Sequence, residues 1–167
     1  MFTSNKRKVA FLSTFSPREC GLATFTQDLV QELDKEIMLK SPRVIAVSDK
    51  EYAYDERVIM ELEQHNLKSY IDIAQKINQS DIEILVIEHE YGIFGGEYGE
   101  YLMELVNRLQ IPIVTTFHTV LSEPKPKEKE ILTQLGRKSC KVITMAKNTI
   151  DLLCNIYNID RNRIEVI

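Results

Sequence analysis

Short apolar segments alternate with longer amphipathic segments along the chain. Residues 8–15, KVAFLSTF, form an apolar run that ends at Ser16-Pro17, which predicts a buried strand followed by a turn. Residues 24–39 carry apolar side chains at helical spacing and charges on the opposite side, which predicts an amphipathic helix. The same reading predicts further strands at residues 44–47, 82–87, 113–117, 142–144 and 164–167, and further helices at residues 70–77, 97–109, 125–138 and 146–157.

The predicted strands are continuously apolar, and this pattern is typical of a parallel sheet that is covered by helices on both faces. We therefore predict the α/β class, with a Rossmann-like, doubly wound and mainly parallel sheet. Residues 49–67 are the least regular part, because tyrosines and aliphatic residues alternate loosely with charges as in an edge strand or an excursion. Their pairing stays open. No repeat or flexible linker divides residues 1–167, so we predict a single domain.

The end of the chain is itself informative. Residues 164–167, IEVI, have the pattern of a strand, and a domain seldom ends within a strand. We therefore expect this chain to be one part of a longer protein.

Composition and charge exclude several classes. The 167 residues, 44% of them hydrophobic, suffice for one packed core and argue against a disordered tail or a disulfide-stabilised miniprotein. The net charge is -4, so the chain does not have the excess of basic residues that is typical of nucleic-acid-binding proteins. No apolar run approaches a bilayer span and no signal peptide is recognisable, so we expect a cytoplasmic protein. Cys20, Cys140 and Cys154 share no C-x-x-C spacing and are expected to be reduced thiols.

Ligands of doubly wound sheets bind beyond the carboxyl ends of the strands, so the loops after Phe15, Ile87 and Phe117 are the candidates. In the first loop, Gly21 stands where the chain turns into a helix, and a helix N-terminus can bind an anion such as a phosphate. Alternatively, Gly21 only caps the loop, with Thr24 or Ser16 starting the helix. The loop lacks the dinucleotide-binding and P-loop glycine patterns, which disfavours those classes.

The second loop, residues 88–99 (EHEYGIFGGEYG), contains four of the six glycines of the chain, Gly92, Gly95, Gly96 and Gly99. Clustered glycines indicate positive φ angles or a closely approaching ligand. The histidine, carboxylates and aromatic residues beside them suit a polar ring-shaped ligand. The alternative is a flexible turn with solvated charges.

His118 directly follows the predicted central strand at residues 113–117. An imidazole at this position can exchange a proton, donate a hydrogen bond or stabilise developing charge. The alternative is a histidine whose hydrogen bonds are made by neighbouring backbone groups. His65 lies in a polar stretch and is predicted to be solvated.

Two further kinds of chemistry are not predicted. His89 and His118 could ligate a metal with Glu88 or Glu90, but no pair of ligands at helical spacing supports a metal site. No G-x-S-x-G motif occurs and no cysteine has a neighbouring base, so a covalent nucleophile is not apparent. The lysine-rich residues 125–129 are predicted to form a solvated helix start.

Three motifs carry a family resemblance: STFSPRECGLATFT at residues 13–26, HEYGIFGG at residues 89–96 and TTFHTV at residues 115–120. With them, the chain resembles the N-terminal half of retaining family 4 (group 1) glycosyltransferases of the GT-B architecture, particularly the bacterial mannosyltransferase-like branch. The resemblance extends from about residue 8 to the last residue. Residues 163–167 resemble the strand that precedes the crossover into the second domain of such enzymes.

The resemblance implies two Rossmann-like domains that face a cleft, the N-terminal one shaping the acceptor site and the C-terminal one holding a nucleotide-sugar. The implied reaction transfers a hexose, with mannose as the candidate sugar, to a glycan or lipid-linked acceptor with retention, as in polysaccharide biosynthesis. It implies neither a bound metal nor a cofactor besides the donor. The donor-binding domain, with its carboxylate pair, is absent from this chain, so we expect the isolated chain to be inactive.

The resemblance also assigns roles to residues. His118 matches the catalytic histidine near the transferred sugar, and Gly21 and Leu22 match the loop that approaches the donor diphosphate. The implied acceptor side of the cleft consists of Arg18, His89, Glu90, Tyr91, Gly92, Phe94, Gly95, Gly96 and Glu97.

Two alternatives stay open at this point. One is a non-catalytic α/β binding module that recognises a small anion or a protein partner. The other is an epimerase or phosphorylase of the same GT-B architecture. The sequence leaves the donor, the acceptor, the linkage and a peripheral membrane contact open.

Overall fold

A computed structural model describes residues 6–167 of the protein. The strands are β1 (Val9–Ser13), β2 (Arg43–Ser48), β3 (Val58–Glu63), β4 (Ile84–His89), β5 (Ile113–Phe117), β6 (Lys141–Thr144) and β7 (Ile164–Val166). The α-helices are α1 (Gly21–Leu33), α2 (Leu67–Gln79), α3 (Tyr101–Val106), α4 (Pro126–Lys138) and α5 (Thr149–Asn155). Short 3₁₀ turns lie at Tyr91–Ile93, Glu97–Gly99 and Arg161–Arg163.

The seven strands form one parallel sheet in the order β3-β2-β1-β4-β5-β6-β7. The predicted fold class is confirmed. From β1 the chain first builds the sheet in one direction, through β2 and β3, and then returns to add β4 on the other side of β1. The direction therefore reverses between β1 and β4, and a ligand-binding crevice in such sheets lies outside the carboxyl ends at this reversal.

Successive side chains of a strand point to opposite faces of the sheet, so the strands contribute residues to two hydrophobic cores, one on each face. In β1, Ala10 and Leu12 join the core that contains residues of α2 and α3, whereas Val9 and Phe11 pack with Val30 of α1. The sheet thus has helices on both faces, as predicted from its apolar strands.

The irregular segment at residues 49–67 contains the edge strand β3, which pairs with β2 across a register irregularity between Val44 and Ile45. Within β3, Leu62 is fully buried, while Glu61 and Glu63 are exposed. An edge strand with one solvated face produces this loose alternation, so the open pairing is resolved in favour of the edge strand.

Helix α1 ends earlier than predicted. The apolar spacing extended the helix to residue 39, but α1 ends at Leu33, and Asp34 there forms an ion pair with Arg57 at 2.7 Å. The following residues pair with the start of the chain: Arg7 N donates to the carbonyl of Met38 at 2.9 Å, and Lys40 N donates to the carbonyl of Arg7 at 3.0 Å. These backbone contacts replace the last helical turn.

Because of this early end, Ile37 is 78% exposed and makes no core contribution. We expect Ile37→Lys to change the free energy of unfolding by less than about 0.5 kcal/mol. Val30→Ala, at a fully buried position of α1, should cost about 2 kcal/mol in the same urea titration. A loss for Ile37→Lys as large as that for Val30→Ala would instead support the longer helix.

Other boundaries also differ from the predictions, and two of these differences lie on either side of the loop after β4. The helix predicted at residues 97–109 is interrupted at its start, because Tyr98 and Gly99 have φ angles of 55° and 82°, and the regular helix is Tyr101–Val106. The strand predicted to end at residue 87 continues to His89. This second difference changes the interpretation of the site.

Candidate functional site

The loops that follow β1, β4 and β5 meet at the reversal point of the sheet. The His118 ring, after β5, packs edge-on against Phe25 of α1, with ring centroids 4.9 Å apart. The His118 N–H donates to the carbonyl of His89 at 3.1 Å, and Thr119 Oγ1 donates to Glu90 Oε2 at 2.5 Å. The structure therefore brings together the three loops that the sequence singled out.

The N-terminus of α1 is capped by Cys20, whose Sγ accepts a hydrogen bond from Ala23 N at 3.4 Å. The alternative in which Thr24 or Ser16 starts the helix is therefore wrong. Gly21 is exposed, and no atom of residues 6–167 lies within 4 Å of the position that a Cβ would occupy there. Leu22 packs against the main core. The helix N-terminus is thus capped on one side and open beside Gly21.

Arg18 is held in place by the ends of neighbouring strands. Its Nη1 donates to the carbonyl of Val47 at 3.1 Å and to Gln64 Oε1 at 3.2 Å, and it lies 3.7 Å from Asp49 Oδ1. Its side chain is 13% exposed. Arg18 therefore bridges the β1 loop to β2 and to the segment after β3.

Gln64 links these loops, and the sequence analysis missed it. This nearly buried side chain also donates from Nε2 to the carbonyl of Gly92 at 3.0 Å. Its own carbonyl accepts from Tyr70 Oη at 2.9 Å, and Tyr70 Oη accepts from Gly95 N at 2.8 Å. Gln64 thus connects the loops after β1 and β4. Nothing in the polar stretch around it distinguishes it in the sequence.

At three of the four glycine positions of the loop, the packing or the backbone conformation explains why the residue is glycine. A Cβ at Gly95 would lie 2.0 Å from the Gln64 carbonyl oxygen, and Gly96 and Gly99 have φ angles of 80° and 82°. Gly95 is itself buried, so it does not lie on the surface of the acceptor side of the cleft, where it was predicted. Only Gly92 of these four combines exposure with open space at its Cβ position.

His89 lies in the core, with no exposed surface. Its ring packs against Tyr91, Phe94 and Phe117, with centroid distances of 5.0, 6.2 and 5.5 Å, and neither ring nitrogen has a hydrogen-bonding partner in the described chain. Burial, and secondarily the proximity of His118, lowers the pKa of His89 from 6.5 to about 3. His89 and Phe94 therefore lie in the core beneath the loop and not on the surface of the acceptor side of the cleft, where they were predicted.

The remaining predicted cleft residues reach the surface of the loop. Glu90 caps the first 3₁₀ turn, with Oε1 accepting from Tyr91 N at 2.9 Å. Tyr91 is half-buried and donates from Oη to the carbonyl of Glu128 at 3.4 Å; burial raises the pKa of its phenol. Gly96 and Glu97 are exposed.

A buried carboxylate stands behind His118. Glu88, with no exposed surface, places Oε2 2.7 Å from His118 Nε2, and its Oε1 accepts from Thr116 Oγ1 at 3.3 Å. The register of β4 and β5 pairs Glu88 directly with Thr116. From the sequence, Glu88 was a possible metal ligand and one of the carboxylates of the loop at residues 88–99, although its charge within an apolar strand marks it as a separate feature.

A surface cavity of about 620 Å³ opens at the carboxyl ends of β2 and β3, beside the partners of Arg18. It is lined by Ser48, Asp49, Lys50, Glu51, Glu61, Glu63, Gln64, His65 and Asn66. His65 is exposed, as predicted. The sequence analysis did not find this cavity, because it left residues 49–67 unassigned.

Residues 6–167 contain no group of three or more His, Cys, Asp or Glu residues that could hold a metal ion. Within the same residues, no helix has the length and apolar character needed to cross a membrane.

Comparisons with known proteins agree with the fold. The model of the family described as Glycosyltransferase Family 4 matches residues 21–167. The crystal structure of a glycosyltransferase from Rickettsia africae ESF-5 matches 96% of this chain with a TM-score of 0.61 at 19% sequence identity. The matched part is 42% of that solved chain. A search of curated proteins finds no match.

Proposed function

The chain belongs to glycosyltransferase family 4, and from this membership we propose that it is the acceptor-side domain of a hexosyltransferase. The proposed reaction transfers a hexose, with mannose as the candidate, from a nucleotide-sugar to a glycan or lipid-linked acceptor with retention. A second domain in the same polypeptide holds the donor. The observation that carries the proposal is the family match across residues 21–167, which includes the loops after β4 and β5.

The position of His118 supports the proposal. It lies at the carboxyl end of β5, next to the reversal point of the sheet, and its side chain is 16% exposed. A partly exposed imidazole at this position can hydrogen-bond a transferred sugar and stabilise charge as the diphosphate leaves. In this proposal, the open N-terminus of α1 at Gly21 and Leu22 faces the donor diphosphate.

The acceptor is proposed to bind across the surface of the loop after β4. Arg18, Glu90, Tyr91, Gly92 and Glu97 are the candidates, because each retains some exposed surface. Gly96 belongs to the same exposed surface. We propose that the reaction requires no metal and that the protein has no nucleic-acid partner. We also propose a cytoplasmic location, with a peripheral membrane contact if the acceptor is lipid-linked.

Transfer of a labelled hexose by the complete protein tests this function. With a panel of nucleotide-hexoses and glycan or lipid-linked acceptors, we expect at least one donor to be consumed with a net transfer to the acceptor. His118→Ala should reduce this rate at least tenfold, because a group that touches the transferred sugar is lost. His65→Ala, at an exposed histidine outside the three loops, is the matched control and should retain the wild-type rate.

The isolated chain of residues 1–167 should show no transfer in the same assay. Turnover by this chain alone, or a folded His118→Ala protein with undiminished transfer, contradicts the proposal. Absence of nucleotide binding by every longer form would favour the non-catalytic binding module, whereas phosphorolysis or epimerisation of a nucleotide-sugar would favour the other GT-B reactions.

A further inference from the structure

We propose that Glu88 is a positioning residue for His118, which fixes the imidazole ring by accepting the Nε2–H and leaves Nδ1 to face the ligand. This inference deepens the proposed function and rests on it for the identity of that ligand. The geometry of the pair, however, is independent of which reaction the protein catalyses.

The contact between the two side chains has the geometry of a strong hydrogen bond. His118 Nε2 lies 2.7 Å from Glu88 Oε2, which is within the range of charge-assisted N–H to carboxylate bonds. In this proposal Glu88 is the ionised carboxylate, which can only accept, so the proton in this bond belongs to Nε2. In the neutral ring, Nδ1 then carries the lone pair, and in the charged ring it carries a second N–H.

Burial makes this contact necessary for Glu88. The carboxylate has no exposed surface, and within residues 6–167 its side-chain hydrogen-bonding partners are His118 and Thr116. A buried carboxylate without a partner is costly, so both oxygens are held by donors. Because Thr116 is a neutral hydroxyl at 3.3 Å, His118 is the stronger of the two partners.

The remaining contacts of His118 hold the ring on its other sides. Its backbone N–H is bonded to the carbonyl of His89, and Phe25 packs edge-on against the imidazole. Among the described residues, no group is hydrogen-bonded to Nδ1. The ring is therefore anchored through Nε2 and through its contact with Phe25, and Nδ1 is the nitrogen available to a sugar hydroxyl or to a diphosphate oxygen.

Glu88 does not reach that ligand itself, because it lies beneath His118 without exposed surface. Its contribution is to set the ring orientation and to decide which nitrogen carries the proton. Partners of this kind behind a functional histidine typically matter 10- to 100-fold for activity, as surveys of the histidines that bind metals indicate. We expect the same order of effect here.

NMR of the ¹⁵N-histidine-labelled chain tests the proposal without any assay of transfer. In the wild-type protein, we expect His118 to show a proton bound to Nε2 that exchanges slowly with water and a non-protonated Nδ1 in the neutral ring. The ring proton of the exposed His65 in the same spectra is the internal control and should exchange too fast to be observed. A proton on Nδ1 of His118 instead, or an Nε2 proton that exchanges as fast as that of His65, overturns the proposal.

Two variants separate the contacts of Glu88. Glu88→Leu removes the acceptor and should abolish the protected Nε2 proton, whereas Thr116→Val removes only the weaker donor and should retain it. Retention of the protected proton in a folded Glu88→Leu protein overturns the proposal. If Glu88→Leu does not fold, the wild-type measurement decides alone.

In the complete protein, Glu88→Leu should lower kcat by about 10- to 100-fold with less than a threefold change in KM for the donor. An unchanged kcat in a protein that has lost the protected proton would overturn the positioning role. If no transfer is detected with wild-type protein, the proposed function fails, and the NMR result still decides whether Glu88 orients His118.

Discussion

Replacing Gly95 by alanine is expected to lower the free energy of unfolding by about 3 kcal/mol. The added Cβ would lie 2.0 Å from the Gln64 carbonyl oxygen and 2.8 Å from Tyr101 Cδ2. The first of these atoms belongs to the backbone and its carbonyl already accepts from Tyr70 Oη, so it cannot move away without breaking that bond. The loop after β4 must therefore separate from the segment after β3. Urea titration monitored by circular dichroism measures the loss.

Gly92→Ala is the matched control in the same loop. Within the described part of the chain, no atom lies within 4 Å of the Cβ position at Gly92, and its φ angle is not positive, so alanine should change the stability by less than about 0.5 kcal/mol. Equal stabilities of the two variants would contradict the close packing of Gly95 on Gln64. The comparison also distinguishes Gly95, which packing requires to be glycine, from Gly92, which is exposed on the candidate acceptor surface.

Acidification should destabilise the protein through His89. The unfolded chain binds a proton at this histidine below about pH 6.5, whereas burial holds the pKa of the folded histidine at about 3. Between these values the unfolded state binds more protons, so the free energy of unfolding falls as the pH falls. From pH 7 to pH 4, the contribution of His89 to this loss is about 3 kcal/mol, since each pH unit within the window corresponds to roughly 1.4 kcal/mol.

The variant His89→Phe removes the titrating group and both unpartnered nitrogens while keeping an aromatic ring against Phe94 and Phe117. Its stability should fall by about 3 kcal/mol less than that of the wild-type protein over the same pH range. Phe94→Leu, which perturbs the same packing without a titrating group, should retain the wild-type slope. Parallel pH profiles for the wild-type and His89→Phe proteins would show that His89 is not buried in its neutral form.

The fold was predictable because its strands are buried on both faces. Strand β1 is buried along its whole length, and β2 is buried from Val44 to its end, so both have the continuous apolar pattern of strands inside a parallel sheet. The end of α1 was not predictable from local spacing, because Arg7 pairs with residues 38 and 40 from a distant part of the chain. Ile37 continues the helical spacing by sequence alone, and only this pairing excludes it from the helix.

The site was predictable in its location and less so in its residues. The rule that ligands lie beyond the carboxyl ends of parallel strands indicated the three loops. The misassignment of His89 came from ending β4 two residues early. Successive side chains of a strand lie on opposite faces of the sheet. In the longer strand, His89 therefore lies on the same face as Ile87, which is in the main core, and Glu88 lies on the opposite face with α1 and His118. Gln64 depends on contacts between distant loops and has no local signature.

The central position of β1 has a consequence for protein synthesis. β1 leaves the ribosome before the other strands that the structure describes, yet Val9 pairs with Ile84 of β4, 75 positions later in the chain. At about 5–20 residues per second, one side of this strand waits roughly 4–15 seconds for its partner. During this interval the apolar segment Val9–Ser13 has an unpaired edge. Of the strand pairs in the described sheet, the pair of β1 and β4 therefore leaves an apolar edge exposed for the longest time during synthesis.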